Sequence, residues 1–210
     1  MKSDQICSTV FRIALLTAVF ALAWLPAGYL AAQESQVITT DDANQELKVI
    51  RDPDIFFVPT PQAVVNQMLE LIDPKENDLM YDLGCGDGRI VVTAASKYGC
   101  RGIGYDIDPV RVIQSIQNVR TNHVEHLVRI EQKDIFTLDL SDASAITLYL
   151  LPRLNVQLIP QLEKLKPGTR IVSHDFDMQG VVEPDSSVTV VDDEGDYHTV
   201  FLWIAPLKKK

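Results

Sequence analysis

Residues 82–88 read Asp82-Leu83-Gly84-Cys85-Gly86-Asp87-Gly88. They follow the apolar stretch Leu79-Met80-Tyr81 and open into a helix-like segment beginning at Arg89. The order is strand, glycine turn, helix. Glycines at alternate positions permit left-handed backbone and let a ligand approach where a side chain would block it, so this turn is able to cradle a nucleotide. A second signal lies downstream, where the apolar segment Gly102-Ile103-Gly104-Tyr105 closes on Asp106, 18 residues after Gly88. An acidic residue about 20 positions beyond a glycine fingerprint, at the end of the second strand, is placed to accept hydrogen bonds from ribose hydroxyls.

A dinucleotide fingerprint, G-x-G-x-x-G, would need its third glycine where Arg89 stands; the spacing here is G-x-G-x-G. The D-x-G-x-G-x-G form, with an acidic residue closing the next strand, resembles the S-adenosylmethionine (SAM) site of class I methyltransferases. That resemblance implies SAM as cofactor. It places Asp82, Gly84, Cys85, Gly86, Asp87 and Gly88 around the cofactor, Asp82 orienting the loop or the SAM amino group, and Asp106 with Ile107 at the ribose.

The rest of the chain alternates in the same sense. Strands are expected at Leu79–Leu83, Gly102–Asp106, Val128–Lys133, Ala145–Leu150 and Arg170–His174, with helices at Gly88–Tyr98, Pro109–Asn122 and Pro152–Leu165. Such alternation implies an α/β fold with a parallel sheet covered on both faces. The ending breaks the pattern. Ser187–Val191 and His198–Ile204 are β-rich runs joined by a polar turn holding Gly195, with no helix between them. The expected architecture is a three-layer, Rossmann-like methyltransferase sheet, mostly parallel with an antiparallel strand pair at its C-terminal end. Before the first strand, Thr60 is expected to N-cap a helix with Pro61 at N1 and Val64, Val65, Met68, Leu69 and Ile72 on its apolar face. In many methyltransferases this segment closes over the methionine part of SAM, so Thr60 is also a candidate ligand contact.

Length and charge bound the rest. The 210 residues hold one domain plus an extension. Lys2 and Arg12 precede an apolar run from Ile13 to Leu25, followed by Pro26, Gly28 and small residues to Ala32, the order of a secretory signal peptide. Residues 1–32 are therefore expected to be a signal peptide or an uncleaved N-terminal anchor, residues 33–54 a linker or loose arm, and residues 55–210 the catalytic domain. A buried N-terminal helix is the alternative. Used as a signal, the segment would place the domain in an exported, periplasmic or membrane-tethered location; unused, in the cytoplasm. Any membrane contact would run through this segment.

Removing Lys2, Arg12 and Asp4 from the 19 basic and 29 acidic residues leaves 17 and 28. An acidic surface repels phosphate backbones, so nucleic acid is discounted as a partner. Cys85 and Cys100 are expected to be free thiols filling small sites. With no C-x-x-C or H-x-x-x-H spacing, a structural zinc site has no sequence support and no metal is assigned.

The rule that open α/β sheets bind ligands beyond the carboxyl ends of their strands places the remaining candidates. Asp134 and Ile135 follow the third strand; by resemblance to the family they meet the adenine amino group and ring, and the alternative for Asp134 is a turn or helix-start residue. Tyr149-Leu150-Leu151-Pro152 follows the fourth strand, where donor methyl and acceptor meet, and it is not the Asn/Asp-Pro-Pro-Tyr motif of enzymes that methylate exocyclic base amines or glutamine amides. Tyr149, Asn155 and His174 are the candidate catalytic residues, each with a plain structural alternative. His198 is the other histidine at that edge.

The segments Val58-Pro59-Thr60-Pro61, Asp82 to Ile90, Gly102-Ile-Gly-Tyr-Asp-Ile-Asp-Pro109 and Leu165-Lys-Pro-Gly-Thr-Arg-Ile-Val-Ser-His174 together resemble bacterial methyltransferase-domain proteins. These are related to the ATP-synthase c-subunit lysine methyltransferases and, more distantly, to Dot1-like lysine methyltransferases. The similarity spans about Ile55 to Ile204 and implies SAM-dependent transfer to an amine, a protein lysine or a small amine. Two other readings stand beside it: an exported nucleoside-binding module lacking turnover, and an NAD(P)-dependent oxidoreductase. The glycine spacing and the absence of a Tyr-x-x-x-Lys pair disfavour the latter.

Overall fold

The computed structural model describes residues 47–208. Residues 1–32 and most of the polar arm lie outside the described residues, and among the described residues no helix is long and apolar enough to cross a membrane. The alternation runs α1 (Gln62–Ile72), β1 (Leu79–Leu83), α2 (Arg89–Tyr98), β2 (Arg101–Asp106), α3 (Pro109–Thr121), β3 (Val128–Gln132), a 3-10 turn (Ile135–Thr137), β4 (Ala145–Leu148), α4 (Pro152–Leu162) and β5 (Arg170–His174), and it ends with β6 (Ser186–Val191) and β7 (Tyr197–Ile204).

The strands form one sheet in the order β3-β2-β1-β4-β5-β7-β6. The first five are parallel, while β7 pairs antiparallel with both β5 and β6. All four residues of β4 are buried, as expected of a central strand covered by helices on both faces. The edge strand β6 has no buried residue. On one side of the sheet Leu154, Leu158, Ile159 and Leu162 of α4 share a buried cluster with Ile146, Leu148 and Ile171. On β2 a Cβ at Gly102 would lie 2.2 Å from Val91 Cγ2, so the glycine there lets α2 lie close against the sheet.

Strand order reverses between β1 and β4, and the cleft this creates opens at their carboxyl ends. There β4 ends earlier than expected. Its pairings with β1 and β5 both stop at Leu148, so Tyr149 and Leu150 have no ladder to join and leave the sheet over the cleft. Helix α4 also ends early, at Leu162 rather than Leu165: the Lys164 and Leu165 amides bond the Gln161 and Leu162 carbonyls, three residues back instead of four, so the last residues form a tightened turn ahead of Pro167. The expected cap at Thr60 is corrected. Pro61 occupies the N-cap with extended backbone and no side-chain cap bond. The Thr60 side chain turns inward instead, its hydroxyl 3.4 Å from His174 Nδ1, and its carbonyl accepts a 2.8 Å bond from Arg89 Nη1. Cys85 and Cys100 are both free and buried.

Candidate active site

A cavity of about 1050 Å³ lies over the carboxyl ends of β1, β2 and β4. Its floor is the glycine turn. Gly84, Gly86 and Gly88 all take positive φ, the conformation the turn needs and that other residues rarely adopt. The Gly84 and Cys85 amides are anchored at 2.9 Å on the Tyr105 carbonyl, and Gly86 N–H donates at 2.8 Å to Asp106 Oδ2. The other carboxylate oxygen, Asp106 Oδ1, accepts from Asp108 N–H at 2.9 Å. Asp106 thus shapes the loop as well as bordering the cavity. A carboxylate has about four lone-pair sites, so acceptor capacity remains for a ligand hydroxyl.

Asp82 is the electrostatic centre of the floor. It is buried at the end of β1, Oδ1 accepts a 2.7 Å bond from Thr147 Oγ1, and Oδ2 has no partner at all. Burial pushes its carboxyl up to about 7 against the Thr147 bond, helped by the negative charges of Asp106 and Asp87. A buried carboxylate oxygen without a donor is a costly feature unless a ligand supplies the donor. Burial likewise pushes the Cys85 thiol well up, with Asp82 and Asp106 adding to the shift, so it is an inert wall residue.

The far wall comes from β4 and the arm. Tyr149 faces the cavity, and its ring lies 3.9 Å from the His174 ring and 6.1 Å from Phe176. Asp134 caps the 3-10 turn by accepting from Phe136 N–H at 3.0 Å and pairs with Arg51 at 2.8 Å. Its alternative reading as a turn residue describes its bonds; it nonetheless borders the cavity beside Ile135. The Arg51 guanidinium, outweighing the opposite effect of burial, holds the Asp134 carboxyl below its usual range.

Of the residues expected at the cofactor, Thr60, Asp82, Gly84, Cys85, Asp87, Asp106, Ile107, Asp134, Ile135 and Tyr149 line this cavity. Gly86 and Gly88 do not. A Cβ at Gly86 would lie 2.2 Å from the Phe57 ring, which covers it, and one at Gly88 would meet Ser115 of α3 at 2.9 Å. Two catalytic candidates also fall outside. Asn155 is fully buried, and its Nδ2 donates to the Phe176 and Asp177 carbonyls at 3.0 and 3.2 Å, tying down the loop after β5. His174 is fully buried behind Tyr149, and burial pushes its imidazole down to about 4, so it is neutral near pH 7 and cannot reach a substrate.

Several wall residues belong to no motif in the sequence. Arg51 precedes the expected domain boundary, yet it and the arm around it are fixed: Gln132 Nε2 donates to the Lys48 carbonyl at 2.6 Å, next to the Arg51–Asp134 pair. Phe57 lies between the glycine turn and Arg111, whose guanidinium sits 4.3 Å from the ring centroid. Arg89 pairs with Asp87 at 2.6 Å while holding the Thr60 carbonyl, and so joins the start of α1 to the loop. The one hint in the residue order was an aromatic pair placed just before the helix, Phe56-Phe57.

Comparison with known proteins gives this geometry a family. Residues 82–186 match the ANTKMT methyltransferase domain. The chain belongs to the ANTKMT methyltransferase family. A protein-lysine N-methyltransferase of Saccharolobus islandicus is 40% identical over 154 residues, covering 72% of this chain and 94% of that protein. The crystal structure of an RNA methyltransferase from Salinibacter ruber in complex with S-adenosyl-L-homocysteine is 49% identical, covers 73% of this chain and 97% of that one, and superposes with a TM-score of 0.66. The human ATP synthase c-subunit lysine N-methyltransferase is 27% identical over 121 residues, and this chain spans about half its length.

SAM is the cofactor of this methyltransferase, and the donor set fits it. The orphaned Asp82 Oδ2 would accept from the ammonium of the methionine part, Asp106 would have lone pairs for vicinal hydroxyls, and Ile135 would present an apolar face to a base. Among the described residues one further cluster has the make-up of a metal site, His174, Asp175 and His198, and it stands outside the cavity lining.

Proposed function

We propose that this methyltransferase acts on the ε-amine of a lysine in a protein. The observation that carries the reading is the 40% identity to a protein-lysine N-methyltransferase across nearly all of that protein's length. The cavity's charge supports it. Seven aspartates line the wall against Arg51, Arg89, Arg111 and Lys133, and Arg51 and Arg89 are already paired with Asp134 and Asp87. An acidic rim attracts a cationic side chain and repels a phosphate chain.

The bound cofactor supplies a methyl group already activated by sulfonium charge, so the protein's part is alignment and exclusion of water. Asp82 and Asp106 hold the cofactor from the floor. Tyr149, Phe57 and Phe176 form an apolar wall against which a lysine ammonium gives up its proton more readily to bulk solvent as it enters, because burial disfavours the charged form. Burial, ahead of the Asp175 charge, raises the Tyr149 phenol above its ordinary value. Tyr149 therefore serves as a hydrogen-bonding wall rather than a base.

The 49% identity to the RNA methyltransferase of Salinibacter ruber favours RNA as a second reading. One experiment separates the two. The full chain is incubated with methyl-tritiated SAM and a cell lysate, and the labelled product is split between protease and ribonuclease. Label released by protease and recovered as methyllysine after hydrolysis supports the lysine reading; label released by ribonuclease overturns it. For residues 1–32 we retain the export or anchor reading as a proposal, tested by N-terminal sequencing of protein recovered from membrane and soluble fractions.

A further inference from the structure

We propose that His174, Asp175 and His198 form a binding site for one divalent transition-metal ion of the zinc class, set in the sheet behind the active-site wall. Three ligand atoms converge there, from the last residue of β5, the residue after it, and β7. His174 Nε2 lies 3.0 Å from His198 Nδ1 and 3.2 Å from Asp175 Oδ2, and His198 Nδ1 lies 3.1 Å from the same oxygen. The antiparallel β5/β7 pairing brings together residues 24 positions apart in the chain.

Protons alone do not satisfy this triangle. Asp175 Oδ2 as a carboxylate only accepts. If both imidazole nitrogens carry protons, both donate to it and two N–H groups face each other across 3.0 Å; if only one does, the other nitrogen turns its lone pair toward the oxygen. With Asp175 ionised, one of the three edges is repulsive in every arrangement. A cation facing all three lone pairs removes the conflict. An ion held at the usual zinc distances of about 2.0–2.1 Å would subtend ligand–metal–ligand angles of about 91–106°, between octahedral and tetrahedral values, with a further position open to water. Two imidazoles and one carboxylate suit zinc and its late first-row neighbours rather than calcium or magnesium, which take oxygen ligands.

The outer partners point the same way. Metal-bound histidines commonly give their second ring nitrogen to a carboxylate or another fixed oxygen. His198 Nε2 faces Asp192 Oδ2 at 3.3 Å, and that carboxylate is fixed by the Glu194 and Asp196 amides, both at 2.9 Å on Oδ1. His174 Nδ1 faces the Thr60 hydroxyl at 3.4 Å. Asp175 is held in a left-handed conformation, φ 58°, with Oδ1 taking the Thr199 amide at 2.8 Å, which leaves Oδ2 turned to the histidines. Strain of that kind at a non-glycine residue persists only where the surroundings enforce it. An ion at this site would fix the imidazole against which Tyr149 packs, and so stiffen the cavity wall.

The test uses the full chain stripped with a chelator and titrated with zinc, by calorimetry in competition with a weak chelator and by elemental analysis after dialysis. One zinc per chain is expected. His198→Ala abolishes it, Asp175→Asn, which keeps an oxygen for the Thr199 amide, weakens it at least tenfold, and Asp192→Asn weakens it about 10- to 100-fold through the outer contact. Circular dichroism and S-adenosylhomocysteine binding of the metal-free variants separate loss of the site from loss of the fold. Cobalt in place of zinc reports the ligands, with nitrogen and oxygen donors and no thiolate charge-transfer band expected. Absence of stoichiometric binding, equal binding by folded His198→Ala, or a thiolate band overturns the proposal.

Discussion

Lowering the pH from 8 to 6 is expected to weaken the binding of S-adenosylhomocysteine about tenfold, and Asp82→Asn is expected to abolish that dependence. The Asp82 carboxyl is pushed up to about 7 by burial, with one oxygen engaged by Thr147 and the other unpartnered. At pH 6 about nine-tenths of the empty protein holds this group protonated. An ammonium ligand needs the carboxylate, so the apparent affinity falls by the competent fraction. The asparagine variant carries no charge here at any of these pH values; losing one charge-assisted bond of about 1.5–3 kcal/mol costs about 10- to 100-fold at pH 8. The same group acts on stability with opposite sign. Its folded pKa lies above its ordinary 3.8, so its favourable contribution to folding is complete below about pH 4 and is lost as the pH rises through 7. The loss has a ceiling of about 4 kcal/mol, from about three pH units at 1.36 kcal/mol each. The ligand-free asparagine variant is therefore expected to be at least as stable as wild type at pH 8. Calorimetric titration at pH 6, 7 and 8, with thermal melts of the free proteins, measures both effects. Equal affinity of the wild type at pH 6 and 8, or an unchanged slope in the variant, would refute the assignment of Asp82 as the ammonium partner.

Three further outcomes are expected. Asp106→Ala removes the acceptors of the Gly86 and Asp108 amides as well as any ribose contact, so binding should weaken at least tenfold and the melting temperature should also fall; loss of affinity at full stability would show that the carboxylate does not hold the loop. Gly86→Ala places a Cβ 2.2 Å from the Phe57 ring at φ +56°, and a cost of about 1–3 kcal/mol is expected with weaker ligand binding, read by denaturant melts and calorimetry. Arg170→Ala removes the counter-charge of the buried Asp78 that it contacts at 2.6 Å, at the opposite end of the sheet, leaving that carboxylate with the Lys75 amide at 2.7 Å. Its melting temperature should drop by several degrees with ligand affinity unchanged, and a parallel loss of affinity would mean that the two ends of the sheet are coupled.

Local chemistry carried most of the framework. The glycine turn after Tyr81 requires positive φ, and the structure has it at all three glycines. The alternation of strands and helices, with two final strands lacking a helix between them, leads to the parallel sheet and its antiparallel end. The acidic residue closing the second strand comes to the cavity because strand length and the carboxyl-end rule place it there. The misplacements share a cause. Thr60 has the composition of a cap, but the competing demand is made by Arg89 and His174, 29 and 114 residues away. Asn155 and His174 stand near the right strand ends, yet the early end of β4 lets Tyr149 fold across and close off the histidine.

Residue spacing and turn chemistry act over a few positions. The order of residues was therefore enough to set the alternation of elements, the nucleotide-cradling turn and the acidic character of the chain. Which side chains meet depends on strand order and long-range packing. It took the folded arrangement to lay Phe57 over Gly86, to leave one oxygen of Asp82 without a partner, and to join His174, Asp175 and His198 across two antiparallel strands.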